Sequence, residues 1–239
     1  MQACVSLNTS TVATPNPREV RFLTTQGARG FLGESAPGPI VAQVVDLVSG
    51  LPVAGATVNV AVDMPGFRST TTLTTDATGR VQPVRPPGTL VGTGSMTLGG
   101  SGIDPAWIPI RIYEFEVNKN LAPPVGAPFV TFRFLQASAE AMPFVLAADL
   151  PTATPTGSPY GLIHTSLLAP GPNFAALDGL GLFGSPDPTA IAAPNYFQVL
   201  TVNGPIPTGL TVVLQLYTFD PSAAFPHNIV ISPPRLLSF

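Results

Sequence analysis

Charged residues are scarce in this sequence, and their scarcity excludes several classes of protein. Lys, Arg, Asp and Glu make up 10% of the 239 residues, against about 25% in an average soluble domain. Lys119 is the only lysine, the arginines are scattered, and the net charge is −3, so nucleic acid is not an expected partner. Low charge with positive mean hydropathy has two explanations: a surface that assembles with other surfaces, or the compositional habit of a GC-rich genome.

Cysteine, histidine and long apolar runs are also almost absent. A single cysteine, Cys4, cannot build a disulfide framework, so stability has to come from packing. The two histidines, His164 and His227, lie near no Gly-x-Ser-x-Gly elbow, which disfavours a hydrolase triad. No apolar run approaches about 18 residues, so no membrane span is predicted. Polar sequence follows Met1 directly, which predicts no secretory signal peptide.

Proline and glycine are abundant and evenly distributed. The chain has 29 Pro and 23 Gly, while hydrophobic residues make up 45% of it. Apolar runs separated by Pro/Gly turns are typical of many short strands, because a disordered chain would not carry such aliphatic runs. No segment keeps a helical period of 3.6 residues. The sequence therefore predicts an all-β protein, with two immunoglobulin-like or jelly-roll-like β-sandwich domains in tandem.

Hydrophobic spacing divides the strands into two groups. Val58, Val60 and Val62 share one face of a predicted strand at period two. Ile108 to Val117 is a longer strand pattern with apolar residues on both faces, so it either closes the first group or bridges to the second. The chain is predicted to consist of an extended arm, an immunoglobulin-like β-sandwich, a Pro-rich linker and a second β-sandwich: residues 1–17, 18–117, 118–128 and 129–239.

Carboxylates offer the main alternative chemistry. Glu114 and Glu116 share one face of a strand and resemble a glycosidase pair, but such a pair normally comes from two different strands. A solvated strand face is therefore favoured, and the chain is predicted not to be an enzyme and to hold no cofactor. Calcium is the alternative, because loop carboxylates at sandwich ends can bind it. Turn capping is the favoured role for the four aspartates concerned, Asp46, Asp63, Asp76 and Asp104.

Three motifs in the first half follow one another in a distinctive order. Val41–Asp46 is a strand ending in Asp, residues 50–58 read Gly-Leu-Pro-Val-Ala-Gly-Ala-Thr-Val, and residues 74–80 read Thr-Thr-Asp-Ala-Thr-Gly-Arg. Through them, residues 26–98 resemble a bacterial immunoglobulin-like module of the invasin/intimin type. Carboxypeptidase-regulatory-like and transthyretin-like modules use similar motifs. The invasin/intimin resemblance implies a sandwich fold and a place in stalks, adhesins or surface layers.

The last part of the chain carries a second, weaker resemblance. Pro207 to Gln215 is followed by Phe219-Asp220-Pro221 and by Ile229 to Ser232. This order resembles the closing hairpin of repeat-bearing secreted proteins of the planctomycete type. That resemblance implies an extracellular or cell-surface location and no catalysis.

Three functions remain open from the sequence. The first is a subunit of an extracellular filament, stalk or surface assembly whose partner is itself or another surface protein. In that case the arm, with its apolar residues Val5, Leu7 and Val12, would add as a strand to a neighbour's sheet edge; otherwise the arm simply frays. The second is a carbohydrate- or receptor-binding module. The third is a virion decoration or fibre protein.

The binding-module hypothesis depends on aromatic side chains near predicted loops. Trp107, Tyr160 and Tyr196 each stand close to Pro, Gly or Asn in the sequence, so they are the candidate ligand contacts. Each of them is equally suited to anchor a core or a domain interface.

Overall fold

The computed structural model describes residues 16–121, 129–136, 141–151, 154–192, 195–201, 207–221 and 228–239. Within these residues the chain is nearly all β-strand, with one short 3-10 turn at Gln26–Ala28. Curled sheets pack in a sandwich-like arrangement, so the predicted all-β class is confirmed. The predicted arm, including Val5, Leu7 and Val12, lies outside the described residues.

The first half of the chain contains eight strands, which are β1 Arg18–Thr24, β2 Arg29–Phe31, β3 Val41–Asp46, β4 Thr57–Met64, β5 Phe67–Thr74, β6 Arg80–Val81, β7 Gly92–Gly100 and β8 Ile103–Asn120. The second half contains ten, which are β9 Phe129–Leu135, β10 Met142–Asp149, β11 Thr156–Ser158, β12 Gly161–Ile163, β13 Ala175–Asp178, β14 Ile191–Ala192, β15 Tyr196–Thr201, β16 Thr211–Phe219, β17 Ile229–Ile231 and β18 Arg235–Ser238.

These strands form one large curled sheet and one smaller sheet. The large sheet runs β5-β4-β7-β8-β1-β3-β6, with β2 and β9 also paired to β8 and β15 paired to β9. The smaller sheet runs β13-β10-β16-β17, with β14 on β10 and β18 on β16. β11 and β12 form a separate two-stranded pair. β8 therefore belongs to the ladders of both halves of the chain, pairing with β7 through Ile112 and with β9 from Glu114.

The first core is built by alternation along the strands. In β4, every second residue from Val58 to Met64 is buried, while the residues between them are exposed. The same period-two rule brings side chains from β1, β3, β7 and β8 into one cluster with those of β4. Removing each Val or Ile side chain from water contributes roughly 1.5–3 kcal/mol, so this cluster is the main stabilising feature of the first half.

The second core is aromatic. The Phe144 ring lies at its centre, with its centroid 5.1 Å from that of Tyr196, 6.3 Å from Phe134 and 6.4 Å from Phe132. These rings meet edge to face, the geometry that aromatic quadrupoles favour. A third, smaller cluster on the opposite face of the small sheet includes Tyr217, and burial raises the pKa of Tyr217 to about 12.

The two principal cores lie on opposite faces of β8. Ile108, Ile110 and Ile112 point into the first core, whereas Tyr113 and Phe115 point into the second. Because successive side chains of a strand alternate between faces, each face of β8 is buried along one part of its length and open along the other. β8 continues to Asn120, inside the predicted linker, and where a domain boundary falls stays a prediction.

A buried ion cluster joins the small sheet to β2 and β8. Asp220, which directly follows β16, is fully buried and accepts hydrogen bonds at Oδ2 from Arg29 Nε at 2.8 Å and from the Tyr113 hydroxyl at 3.0 Å. Arg111 Nη1 lies 3.5 Å from Asp220 Oδ1. Burial, and then the Asp220 charge, raise the pKa of Tyr113 well above its ordinary value. One carboxylate thus ties the end of β16 to two strands of the other half.

Replacing Asp220 should destabilise the whole molecule. Asp220→Asn leaves buried guanidinium groups without their counter-charge, a change that typically costs about 3–5 kcal/mol. The matched control is Asp63→Asn, because Asp63 pairs with Arg68 at an exposed site, where an ion pair contributes about 0–1 kcal/mol. Urea unfolding of both variants measures the difference. Equal stabilities of the two variants would show that the Asp220 cluster does not hold the halves together.

Candidate functional site

One face of the large sheet is exposed in the first half of the chain. It consists of the outward side chains of β5, β4, β7 and β8, from Asn59 and Thr72 at one end to Thr93 and Arg111 at the other, and is called the Trp107 face below. These residues alternate with the core residues of the same strands, so the pattern that fills the first core also directs them to solvent.

Strand register places the side chains of this face in rows. One row crosses the four strands from Thr70 through Ala61 and Thr97 to Trp107. With about 4.8 Å between strands, such a row extends about 14 Å. The side chains beside Trp107 are short, so nothing in this row covers the indole ring. The next row contains a charged pair and two small residues, in the order Arg68, Asp63, Ser95 and Pro109.

Trp107 is the single tryptophan of the chain and is 67% exposed. Isolated apolar side chains are ordinary on protein surfaces, so exposure alone does not mark a site. The surroundings distinguish this one: the indole shares its row with Thr97, and Asp63 and Ser95 of the next row line a depression. A rigid aromatic surface bordered by a few polar groups is the usual composition of a small-ligand site.

The depression lies where the β4–β5 hairpin meets the start of β7. It has a volume of about 760 Å³ and is lined by residues 63–68 and 93–95, within the about 300–1,000 Å³ typical of ligand sites. Gly66 turns the hairpin at a φ of 74°, which glycine tolerates without strain. Arg68 Nε donates to Asp63 Oδ1 at 2.9 Å, and this hydrogen bond raises the pKa of Arg68.

The other two predicted contact aromatics lie elsewhere. Tyr196 is half-buried in the second core, where its ring packs on Phe144 and Phe132 and its hydroxyl contacts the Thr189 carbonyl at 2.5 Å. Tyr160 is half-buried against the third cluster. The structure therefore brings neither tyrosine to the Trp107 face.

The carboxylates considered for catalysis serve as partners of a single cation. Arg133 Nη2 lies 3.0 Å from Glu114 Oε2 and 3.0 Å from Glu116 Oε2. This trio lies on the face of β8 opposite the second core.

His164 is half-buried, and its backbone N–H donates to Gln215 Oε1 at 2.8 Å. His227 and Cys4 lie outside the described residues.

The four loop aspartates each have a protein partner. Asp46 accepts hydrogen bonds from Ser49 and Asp76 accepts them from Thr78 and the Arg80 backbone; these bonds lower the pKa of both carboxyls. Asp63 pairs with Arg68, and Asp104 accepts from the Asn16 amide at 2.8 Å.

The described residues contain no cluster of three or more His, Cys, Asp and Glu placed to share a metal ion. Among the same residues, no helix has the length and apolar character needed to cross a membrane.

Comparisons with known proteins give only distant likenesses. No family model and no curated protein matches the sequence. Among solved structures, Salmonella alpha-2-macroglobulin aligns at 12% identity with a TM-score of 0.32, over 98% of this chain and 16% of that protein's own length. A DUF3823 family protein from Bacteroides uniformis aligns at 10% identity with a TM-score of 0.27, over 94% of this chain and 99% of the other.

A third solved structure, a Bacteroides uniformis protein provisionally described as carbohydrate-binding, aligns at 10% identity with a TM-score of 0.25, over 95% of this chain and 100% of the other. TM-scores this low carry no argument, and the fold rests on the strand pairing described above. None of these three is an invasin/intimin-type module, so the resemblance of residues 26–98 stays a prediction.

Fluorescence tests the environment of Trp107. Because this tryptophan is exposed, the native protein should emit at the red end of the tryptophan range and be quenched by acrylamide almost as strongly as the urea-unfolded chain. Trp107→Ala should change the free energy of unfolding by no more than about 0.5 kcal/mol. Blue-shifted, shielded emission or a large loss of stability would place the indole in a packed interior instead.

Proposed function

We propose that this chain is a non-catalytic adhesive protein of a cell surface or other extracellular assembly, and that it binds carbohydrate on the Trp107 face. The observation that carries the proposal is the 67% exposure of Trp107 on a sheet face that also presents polar side chains. Of the three aromatics considered as ligand contacts, Trp107 is thus the one that the proposal retains.

The chemistry of the face suits a sugar ring. A pyranose has one face dominated by C–H groups, which stacks on a broad, rigid indole, and an edge of hydroxyl groups that need hydrogen bonds. Asn59, Thr97 and Ser95 offer neutral donors and acceptors on the same face, and Asp63 and Arg68 offer charged ones. The rows extend the contact across four strands, so a chain of sugars is a better match than a single one.

The same face supports binding rather than hydrolysis. Asp63 is the one carboxylate among the outward residues between Asn59 and Arg111, and it is held by Arg68 at 2.9 Å. Glycoside hydrolysis ordinarily uses two carboxyl groups on either side of the scissile bond. A single, ion-paired carboxylate is suited to orient a hydroxyl group.

Polysaccharide binding with matched aromatic variants tests the proposal. Trp107→Ala should weaken binding at least about tenfold, equivalent to 1.4 kcal/mol, because the stacking surface is lost. The control is Phe197→Ala, since Phe197 is a 59% exposed aromatic on β15, away from this face; its affinity should stay within about twofold of wild type. Affinity electrophoresis across a polysaccharide panel, followed by calorimetry, gives the numbers. Failure to bind any glycan, or equal losses in both variants, would overturn the proposal.

A second candidate function, self-assembly, is favoured by the edge strand β5. Among the described strands, β5 pairs only with β4. Its eight residues, Phe67–Thr74, contain four threonines, no proline and no lysine, and Arg68 is their one charged residue. Natural edge strands usually carry prolines, lysines or several charges, so a long edge with a single charge near one end is suited to accept another strand. The donor would be the predicted arm of a neighbouring copy.

Electron microscopy at high protein concentration tests self-assembly. Wild type should form filaments or larger particles, whereas deletion of residues 1–15 and Thr71→Lys on β5 should both leave dispersed particles. Thr57→Lys is the matched control, because it adds the same charge on β4, which has strands on both sides, and it should assemble like wild type. A wild-type protein that stays monomeric, or variants that assemble equally, would exclude this function.

A further inference from the structure

The Trp107 face ends at Arg111, beside Asp220, and this end of the face is called the corner below. Along β8 the outward residues Trp107, Pro109 and Arg111 are followed on the same face by Tyr113, which is 1% exposed and belongs to the second core. Asp220, which follows β16 of the small sheet, lies 3.5 Å from Arg111 at this end of the face. Arg111 is four positions along the strand from Trp107, about 13 Å, a reach that suits a short oligosaccharide rather than a monosaccharide.

Two arginines meet one carboxylate in this corner. Among the described ion pairs, Arg29 and Arg111 share Asp220 as their carboxylate partner. In a largely buried place a charge is favourable only where it is paired and hydrogen-bonded.

Arg111 is also the less satisfied of the two arginines. Arg29 Nε donates to Asp220 at 2.8 Å, while Arg111 Nε and Nη1 are buried and have no hydrogen-bond partner among the described residues. Its contact with Asp220 is loose, at 3.5 Å, and its side chain is 14% exposed. Arg29 and Tyr113 hold Asp220 at its other oxygen, Oδ2, independently of Arg111.

We propose that the Trp107 face selects acidic carbohydrate, and that Arg111 with the Thr93 hydroxyl binds the carboxylate or sulfate group of the sugar. This inference rests on the proposed carbohydrate binding and names its substrate class. Thr93 is the register partner of Arg111 on β7 and also lines the depression. A guanidinium presents paired N–H groups that match the two oxygens of a carboxylate or sulfate.

A pair of matched polymers tests the inference on the full chain. Dextran is the neutral probe, and carboxymethyl dextran and dextran sulfate are the acidic ones. Wild type should bind an acidic polymer at least about tenfold more tightly than dextran, with the preference declining as salt rises. Arg111→Gln should abolish the preference, whereas Arg111→Lys should retain part of it, because a point charge remains without the paired donors.

The outcomes separate this inference from the proposed function. Equal affinity of wild type for neutral and acidic polymers, or an unchanged preference in Arg111→Gln, overturns the role of Arg111 while leaving sugar binding intact. If Trp107→Ala changes binding to none of the polymers, the proposed function itself fails. Thermal unfolding checks that each variant folds. If Arg111→Gln does not, Thr93→Val takes its place, because it keeps the strand and removes the hydroxyl, and it should reduce the acidic preference.

Discussion

The structure depends on one strand that two cores share from opposite sides. β8 buries Ile108, Ile110 and Ile112 in the aliphatic core and Tyr113 and Phe115 in the aromatic core, so the buried face changes within a single residue step. The open surfaces follow from this change. On one side the uncovered part of β8 presents Trp107, and on the other it presents the carboxylates that share Arg133. The Trp107 face and the carboxylate face are thus consequences of how the halves are joined.

The Asp220 cluster lies where the buried face of β8 changes from the aliphatic core to the aromatic core. Arg111 belongs to the open face by its parity along β8 and to the buried cluster by its contact with Asp220. Among the described residues, Arg111 Nε and Nη1 have no hydrogen-bond partner. Arg111 is also the last outward residue of β8 on the Trp107 face, so it belongs both to the cluster that joins the halves and to that face.

Local patterns in the sequence were sufficient for much of the fold. Alternating Val58, Val60 and Val62 predicted β4, and the apolar residues on both faces of Ile108 to Val117 indicated a strand between two layers. Contacts between distant segments could not be predicted in this way. Arg29 and Asp220 are 191 positions apart, and the rows of the Trp107 face depend on the β7–β8 register. Trp107 was a candidate because of its type, but its exposure depends on which strands lie beside it.

A strand that continues through the junction also has a mechanical consequence. Two modules joined by a loop bend at the loop, whereas here bending would have to break the ladders that β8 forms with β7 and β9 on either side of Arg111. Tension along β8 loads many hydrogen bonds at the same time in shear rather than peeling them one by one. A pull on one half therefore reaches the other through the continuous backbone of β8 rather than through a loop.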